Sequence, residues 1–345
     1  MRLAIFFLCE TLLAAAGEPH AAFTDPAQAG PDFLVQGEYA GTLSNGFALA
    51  TQVIALGNGK FEGVLLAGGL PGAGWDEKTR FHFKGETRDG VTRFVGIHGE
   101  RLMFENQNFE GEIRGEVFRG RADMFRNAAD DAAFVMRKVA RQSPTQDASP
   151  PAGAVVLFDG SRVDEWVNGR IVDGNLLAPG TESKRRFRSV QIHVEFQSPF
   201  MPTAAGMARG NSGVYVKGEW EVQIVDSFGW DSENRKFERL SGTARCAGIH
   251  EMVEPRLNMS YPPLSWQTFD IDYTAARFDA AGRKIAPAMI SVRHNGVLVH
   301  DRYVLPPVGP GEDPKKSKDH EPGPLLLQNH KNPVRFRNVW ALERN

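Results

Sequence analysis

The chain has 345 residues, 41% hydrophobic and 24% charged, which is enough apolar mass for more than one folded core. Its 40 basic and 42 acidic residues leave a net charge of -2, which argues against a nucleic-acid binder because such a protein needs a basic face. The 36 glycines and 21 prolines favour a turn-rich all-β protein over a helical bundle.

The N-terminus has the pattern of an export signal. Arg2 precedes an apolar stretch from Leu3 to Leu8, and Leu12 to Ala16 continues it into small residues. We therefore predict that residues 1–22 are a signal peptide and that the protein is periplasmic or extracellular. No later stretch approaches the ~18 apolar residues of a membrane span. Signal removal would leave Cys246 alone, so we expect no internal disulfide.

Residues 32–140 are predicted to form a smaller β-rich domain of short strands separated by glycine-containing turns. Its strongest local signal is a hairpin in which Gly57-Asn58-Gly59 joins strands at Ala48–Leu56 and Lys60–Leu66. A further strand is expected at Arg101–Glu105. The glycine-rich run at 68–74 lacks the Lys-Ser/Thr ending of a phosphate-binding loop, so no chemistry is assigned to this domain.

Residues 141–152 have the Ser, Pro, Thr, Gln, Asp and Ala composition of an extended linker, which marks a domain boundary. From residue 153 to 345 the pattern returns to short alternating strands with no intervening helical periodicity. This organisation predicts a two-sheet β-sandwich.

Polar side chains concentrate on one face of two strong strands in this second domain. His193 and Glu195 share a face by alternation, as do Glu221 and Gln223, and Asp226 joins them only if a bulge shifts the register. If the two strands are neighbours, their side chains line one polar wall. The alternative is the ordinary solvated face of a sandwich. A third polar cluster, which contains His330, stands directly before a strand, where binding groups are often presented.

Six motifs occur in a recognisable order along the second domain. They are Leu157-Phe158-Asp159-Gly160, Asn211-Ser212-Gly213-Val214-Tyr215, the run from Glu221 to Ser227, the run from Trp266 to Ile271, His294-Asn295-Gly296-Val297, and the run from Gly323 to His330 continued by Asn332 to Asn338. In this order they resemble the 3-keto-disaccharide hydrolase domain family over essentially all of residues 153–345. The first domain resembles the extra domain of planctomycete-type members.

The resemblance implies a concanavalin A-like (laminin-G-like) β-sandwich, or jelly roll, with a sugar site on its concave face. It also implies cleavage of glycosides whose sugar is oxidised to a ketone at carbon 3. The ketone acidifies the proton on C2, so a base can remove it and the glycosidic oxygen on C1 can leave by elimination, after which water adds. Such a site needs a base, a proton donor and a group that polarises the ketone.

The site residues that follow from the resemblance are hypotheses about roles. The catalytic candidates are Glu221, His193, Glu195, Asp226 and His330. The sugar-binding candidates are Gln223, Gln328, Arg335, Arg337, Trp220 and Asn211. A divalent cation (Ca²⁺, Mg²⁺ or Mn²⁺) is the cofactor considered, with His193, Glu221 and Asp226 as its ligands. Two positions depart from the family pattern, because Asn329 replaces an Asp and His250 replaces a Tyr.

Two other functions stay open. A lectin-like module without turnover would use Trp220 and Trp230 to stack on sugar faces. A retaining glycosidase would use the spacing Glu221-x-Gln223-x-x-Asp226, although the central Gln and the short final Asp depart from that pattern. Convergence of Glu221, His193 and His330 would favour the keto-glycoside enzyme.

Overall fold

The structure is a computed structural model that describes residues 20–97, 109–122, 133–229, 241–309, 319 and 321–344. Most of the predicted signal peptide, the strand expected at Arg101–Glu105, and Trp230 lie outside the described residues. The all-β prediction is confirmed: apart from α1 (Pro31–Val35) and short 3-10 turns, the regular structure of the described residues is strand. None of their helices is long and apolar enough to cross a membrane.

Eight antiparallel strands form a closed barrel in the N-terminal domain. They are β1 (Gly37–Leu43), β2 (Ala48–Gly57), β3 (Lys60–Ala67), β4 (Arg80–Arg88), β5 (Val91–Gly96), β6 (Glu110–Arg114), β7 (Val117–Arg121) and β8 (Ala133–Val139). Each strand pairs with the next, and β8 returns to β1. The predicted hairpin is confirmed as β2 and β3, whose turn has left-handed Asn58 and Gly59.

Phenylalanine rings fill the barrel. Phe83 packs against Phe94 and Phe109 with ring centroids 5.3 and 4.8 Å apart. Glycines on the strands make the necessary space: a Cβ at Gly63 would lie 2.3 Å from the Phe83 ring. The excess of Phe over Tyr in the chain follows, because an interior so packed offers few partners for a phenolic hydroxyl.

The C-terminal domain is a sandwich of two sheets. The first sheet has five strands in the order β10 (Trp166–Val167), β13 (Thr181–Phe187), β22 (Gly323–Leu327), β15 (Ser212–Val216) and β16 (Trp220–Ile224). The second has the order β11 (Ile171–Val172), β12 (Leu176–Leu177), β23 (Arg335–Arg344), β14 (Ser189–Gln197), β17 (Trp266–Thr274), β20 (Met289–His294) and β21 (Val297–Val304), with β9 (Val155–Phe158) also paired to β23. A small ribbon joins β18 (Arg277–Phe278) to β19 (Lys284–Ala286).

The core lies between these two sheets and follows the alternation read from the sequence. On β14, Ile192, Val194 and Phe196 are buried in it, and on β16 Val222 and Ile224 meet them from the other sheet. Full burial of one such side chain contributes about 1.5–3 kcal/mol. The polar residues between them on each strand therefore point away from the core, onto two opposite outer faces.

The barrel docks on the loops at one end of the sandwich. Arg209 is buried there, and its guanidinium donates to Asp226 Oδ2 at 2.5 Å and to the barrel carbonyl of Ala55 at 3.1 Å. Phe23 forms an isolated β-bridge with Phe200 nearby. The Arg209–Asp226 ion pair lies within the sandwich, and it holds in place the guanidinium that reaches the barrel carbonyl of Ala55, because removing Asp226 would leave a buried charge unpaired.

Candidate functional site

The expected polar wall is divided between the two sheets. β14, with His193 and Glu195, belongs to the eight-stranded sheet, whereas β16, with Glu221 and Gln223, belongs to the five-stranded sheet. The expectation that these strands are neighbours is therefore wrong. Alternation shows which residues point away from the core, but not to which sheet a strand belongs. The two polar groups lie on opposite outer faces of the sandwich.

His193 and Glu195 form the buried centre of a cluster with the partly exposed Asp270. His193 Nδ1 lies 2.6 Å from Asp270 Oδ1, and its Nε2 lies 3.5 Å from Glu195 Oε1. The imidazole also stacks on Trp340, with ring centroids 5.1 Å apart. Both His193 and Glu195 have no exposed surface. They are therefore not accessible to a substrate in this arrangement.

The segment that covers this cluster is the interdomain linker. The backbone N–H of Asp147 donates to Glu195 Oε1 at 2.5 Å, and Thr145 donates to Asp270 Oδ2 at 2.7 Å. Arg337 bridges the two parts, donating to Glu195 Oε2 at 2.7 Å and to Asp147 Oδ1 at 2.9 Å. We call His193, Glu195, Asp270 and Arg337 the linker clasp. They fasten residues 143–148 across the eight-stranded sheet.

The charges of the linker clasp reinforce one another. Burial alone would lower the pKa of His193, but the hydrogen bonds to Asp270 and Glu195 outweigh it and raise that pKa. Burial would raise the pKa of Glu195, yet its bonds to His193, Asn338 and the Asp147 N–H, with the charge of Arg337, lower it to about 2. The clasp therefore holds the His193 imidazole between two carboxylates that favour its protonated form.

The other polar group lies on the outer face of the five-stranded sheet, around Glu221. Tyr215 stands directly opposite Glu221 in the β15–β16 register, and its hydroxyl donates to Glu221 Oε2 at 2.7 Å. Gln328, just after β22, donates to the Tyr215 oxygen at 3.2 Å. Gly213 leaves room for the carboxylate, since a Cβ there would lie 2.2 Å from Glu221 Oε1.

Several buried polar atoms around Glu221 have no hydrogen-bond partner within the part of the chain that the structure describes. Gln223 Oε1, Gln328 Oε1, Asn211 Nδ2 and His250 Nδ1 are of this kind. The other end of the Gln223 amide is anchored, because it donates to Asn211 Oδ1 at 2.9 Å. Leaving buried polar atoms unsatisfied is costly, so this concentration of donors and acceptors indicates a place for a polar ligand.

Electrostatics make Glu221 suited to proton transfer. Its carboxyl is 7% exposed, and burial raises its pKa above the ordinary value for Glu. The Tyr215 hydrogen bond and the nearby imidazoles of His250 and His330 oppose that rise, while Glu251 adds to it. We call Tyr215, Glu221, Gln223, Gln328, Asn211, His250 and His330 the Glu221 cluster. It combines an acid–base carboxyl, two imidazoles and amides.

Six of the predicted site residues lie outside the Glu221 cluster, and among them His193 and Glu195 are in the linker clasp. Asp226 is buried against Arg209 at the domain junction. Trp220 is 1% exposed within the core, so its predicted stacking on sugar is wrong. Arg335 pairs with Asp173, and Arg337 belongs to the linker clasp, both on the eight-stranded sheet.

The residues considered for a divalent cation do not converge. His193 is in the linker clasp, Glu221 is on the other face of the sandwich, and Asp226 is at the domain junction. Over the described ranges, no group of three or more His, Cys, Asp or Glu side chains is arranged to hold a metal ion. These three residues do not fit the expected cation, and no reaction step below is assigned to one.

Sequence reasoning missed Tyr215 and the role of His250. Tyr215 had a detectable signal, because the turn between β15 and β16 sets the pairing that places it opposite Glu221. His250 reaches Glu221 through pairing of its segment with the edge of β16, where its N–H donates to the Glu221 carbonyl at 3.0 Å. No sequence periodicity indicates that contact.

The fold and the Glu221 cluster define a two-sheet β-sandwich protein with a polar site on one outer face. The model of the 3-keto-alpha-glucoside-1,2-lyase-like domain family matches residues 153–342, so the chain belongs to this family, as the motif order indicated. Among solved structures, the chain is similar to a candidate glycosyl hydrolase from Parabacteroides distasonis, with 27% identity over 56% of this chain and 85% of that chain and a TM-score of 0.49. A second candidate glycosyl hydrolase from that organism is 18% identical over 56% of this chain and 94% of that chain, with a TM-score of 0.38. A search of the curated proteins finds no match.

Proposed function

We propose that the Glu221 cluster is the active site of a carbohydrate-active enzyme that cleaves the glycosidic bond of 3-keto-glycosides. Family membership supports the substrate class. The single observation that carries the proposal is the buried Glu221 carboxyl with a raised pKa, surrounded by polar atoms that lack partners among the described residues. A base poised in this way is what removal of the C2 proton requires.

The proposed reaction begins with the carboxylate of Glu221. It takes the proton from C2, and the electrons of that C–H bond form the C2=C3 double bond of an enolate. The enolate then reforms the ketone, the C1=C2 bond forms, and the bond from C1 to the glycosidic oxygen breaks. A protonated imidazole, His250 or His330, gives its proton to the departing oxygen. Water adds across C1=C2, its hydroxyl to C1 and its proton to C2, and the proton held by Glu221 passes through solvent to the neutral imidazole, which completes a net hydrolysis and restores both groups.

The other members of the cluster bind and orient the sugar. Gln328 is half-buried, and its side-chain carbonyl oxygen, which has no partner among the described residues, is an acceptor for a sugar hydroxyl. Gln223 and Asn211 are buried and joined by a hydrogen bond of 2.9 Å, so they support the site without facing the sugar. Tyr215 is a positioning residue, because its hydroxyl donates to Glu221 Oε2.

The two alternative functions make different demands on the same residues. A retaining glycosidase built on the Glu221-x-Gln223-x-x-Asp226 spacing needs Asp226 beside Glu221, but Arg209 engages that carboxylate at the domain junction. A lectin-like module needs the amides but no base with a raised pKa. The expected convergence fails for His193, which lies in the linker clasp, but Glu221 has the imidazoles of His330 and His250 near it. On that ground we favour the enzyme, with non-catalytic sugar binding as the outcome that would replace it.

The direct test is turnover of a 3-keto-glucoside by the purified full-length chain, beside the same glucoside unoxidised. We expect release of 3-ketoglucose from the first and no reaction with the second. Retained sugar binding without turnover of either compound would identify a binding module, and cleavage of the unoxidised glucoside would identify an ordinary glycosidase.

Replacing Tyr215 by Phe should change the pH dependence more than the maximal rate. Its hydroxyl lowers the pKa of Glu221, so its removal should raise that pKa further and move the acidic limb of the kcat/KM profile upward by about one pH unit. The measurement is kcat/KM between pH 4 and 9, with Tyr303→Phe on β21 of the other sheet as control. An unshifted limb would show that Tyr215 does not act through the ionisation of Glu221.

A further inference from the structure

A pocket lies at the junction of the barrel and the sandwich, apart from the Glu221 cluster and the linker clasp. Its floor is the outer face of the barrel, where Val64 and Leu66 alternate with Leu65, whose side chain packs in the barrel core. Val64 and Leu66 are buried although they face outward, because the sandwich covers this part of the barrel. The pocket has a volume of about 150 Å³ and is lined from both domains.

The glycine-rich run at 68–74 helps to form one wall of this pocket. Gly72 lies so close to the sandwich that a Cβ there would be 2.9 Å from the Met259 side chain. Trp75 follows directly and lines the pocket. Its indole is fixed, because its Nε1–H donates to the Thr79 carbonyl at 3.0 Å. Contacts within the protein therefore hold this wall in place.

Three arginines line the pocket, one from the barrel and two from the sandwich. Arg80 is the first residue of β4 and is half-buried, and Arg245 is 9% exposed. Arg245 Nη2 lies 3.7 Å from the exposed carboxylate of Glu254. Arg256 is exposed and donates to both carboxylate oxygens of Glu77, at 3.0 and 2.8 Å. Three guanidiniums and one carboxylate thus give the described lining a net charge of +2.

This concentration of positive charge is what an anion site requires. Like charges repel more strongly in a partly enclosed space of low dielectric than in water, so an anion between the guanidiniums would stabilise the arrangement. Arginine suits oxoanions in particular, because its planar fork of N–H donors matches the oxygens of carboxylate, sulfate and phosphate groups. The pocket therefore favours a small ligand that carries such a group.

We propose that this pocket binds a small oxoanion, with Arg80 on the barrel side and Arg245 and Arg256 on the sandwich side. The chemistry recognised is a carboxylate, sulfate or phosphate group. The ligand bridges the two domains, because its binding groups come from both. The site is independent of the Glu221 cluster and of the reaction proposed for it.

The test is calorimetric titration of the full-length chain with sulfate, phosphate and glucuronate, each separately and at one ionic strength. We expect binding that Arg80→Gln weakens at least tenfold, because a charge-assisted hydrogen bond is lost. Arg119→Gln, an exposed residue on β7, makes the same charge change away from the pocket and should leave the affinity unchanged. Binding of sulfate and phosphate would assign the charged group alone as the ligand, and binding of glucuronate alone would assign an acidic sugar.

Glu77→Gln supplies a change of the opposite sign. It removes the one carboxylate of the described lining and releases Arg256, so the anion should bind about threefold more tightly. A merely structural ion pair between Glu77 and Arg256 would not produce this gain. The site would be overturned if the wild-type chain bound none of the three anions at millimolar concentrations, if Arg80→Gln left the affinity unchanged, or if Glu77→Gln did not tighten binding.

Discussion

Replacing Glu221 by glutamine should lower kcat for a 3-keto-glucoside by roughly 10³-fold, within the range that general base catalysis supplies. Glutamine has nearly the same shape and can still accept the Tyr215 hydrogen bond through its carbonyl oxygen, but it cannot take the proton from C2. Binding of the sugar should therefore persist. Steady-state release of 3-ketoglucose and calorimetric binding, measured on the same preparation, separate the two effects.

The matched control is Glu343→Gln, because this exposed residue lies on the eight-stranded sheet, away from the cluster. A Glu221→Gln protein that is folded, binds sugar and retains wild-type kcat would remove Glu221 from the mechanism. Loss of binding together with kcat would instead assign Glu221 to substrate binding.

Removing the Glu195 carboxylate should give the largest loss of stability. Glu195→Ala leaves the partly exposed Arg337 and the buried His193 without the anion between them and frees the Asp147 N–H from its acceptor. Breaking a buried ion pair in this way costs about 3–5 kcal/mol. Urea unfolding measured by tryptophan fluorescence should show the loss, whereas Glu343→Ala should unfold as the wild type does.

The same residue should control stability at acid pH. The folded-state pKa of Glu195 is about 2, below its ordinary value, so its contribution is present above about pH 4.5 and is lost as the pH falls through 2. The shift corresponds to about 3 kcal/mol. The raised pKa of His193 acts in the opposite direction, because its contribution is full below pH 6.5 and is lost as the pH rises through the folded value.

In Glu195→Gln, the unfolding free energy should therefore depend less on pH between 4.5 and 2 than in the wild type. Catalysis by the folded variant should be close to that of the wild type, because the linker clasp lies on the opposite face from the Glu221 cluster. This division of roles would be contradicted if the unfolding free energy fell with the same slope at acid pH in both proteins, or if the folded variant had no activity.

Local patterns predicted much of the fold because they depend on short-range physics. The alternation on β14 and β16, the Gly57-Asn58-Gly59 turn and the all-β composition all follow from one strand or one turn at a time. The motif order also indicated the family that residues 153–342 match. These signals need no knowledge of which distant strands pair.

The assembly of the site was harder to predict from the sequence, because it depends on contacts between segments that are distant along the chain. His193 and Glu221 have the same kind of alternating polar strand, yet His193 is covered by the linker, whereas Glu221 is buried against Tyr215 on the other sheet. The composition of residues 141–152 indicated an extended linker but not its docking, which depends on Glu195 accepting the Asp147 N–H. The prediction that Trp220 stacks on sugar was avoidable from the sequence, because strand alternation alone places its side chain on the core face with Val222 and Ile224.

The most direct measurement of the central claim is turnover of a 3-keto-glucoside in D₂O, followed by NMR of the product at early times. If Glu221 removes the C2 proton before the glycosidic bond breaks, the 3-ketoglucose that is released should carry deuterium at C2. The reaction without enzyme and the reaction with Glu221→Gln give the background exchange. Wild-type product that keeps its original proton at C2, at a rate of release well above background, would show direct hydrolysis and contradict the elimination assigned to the Glu221 cluster.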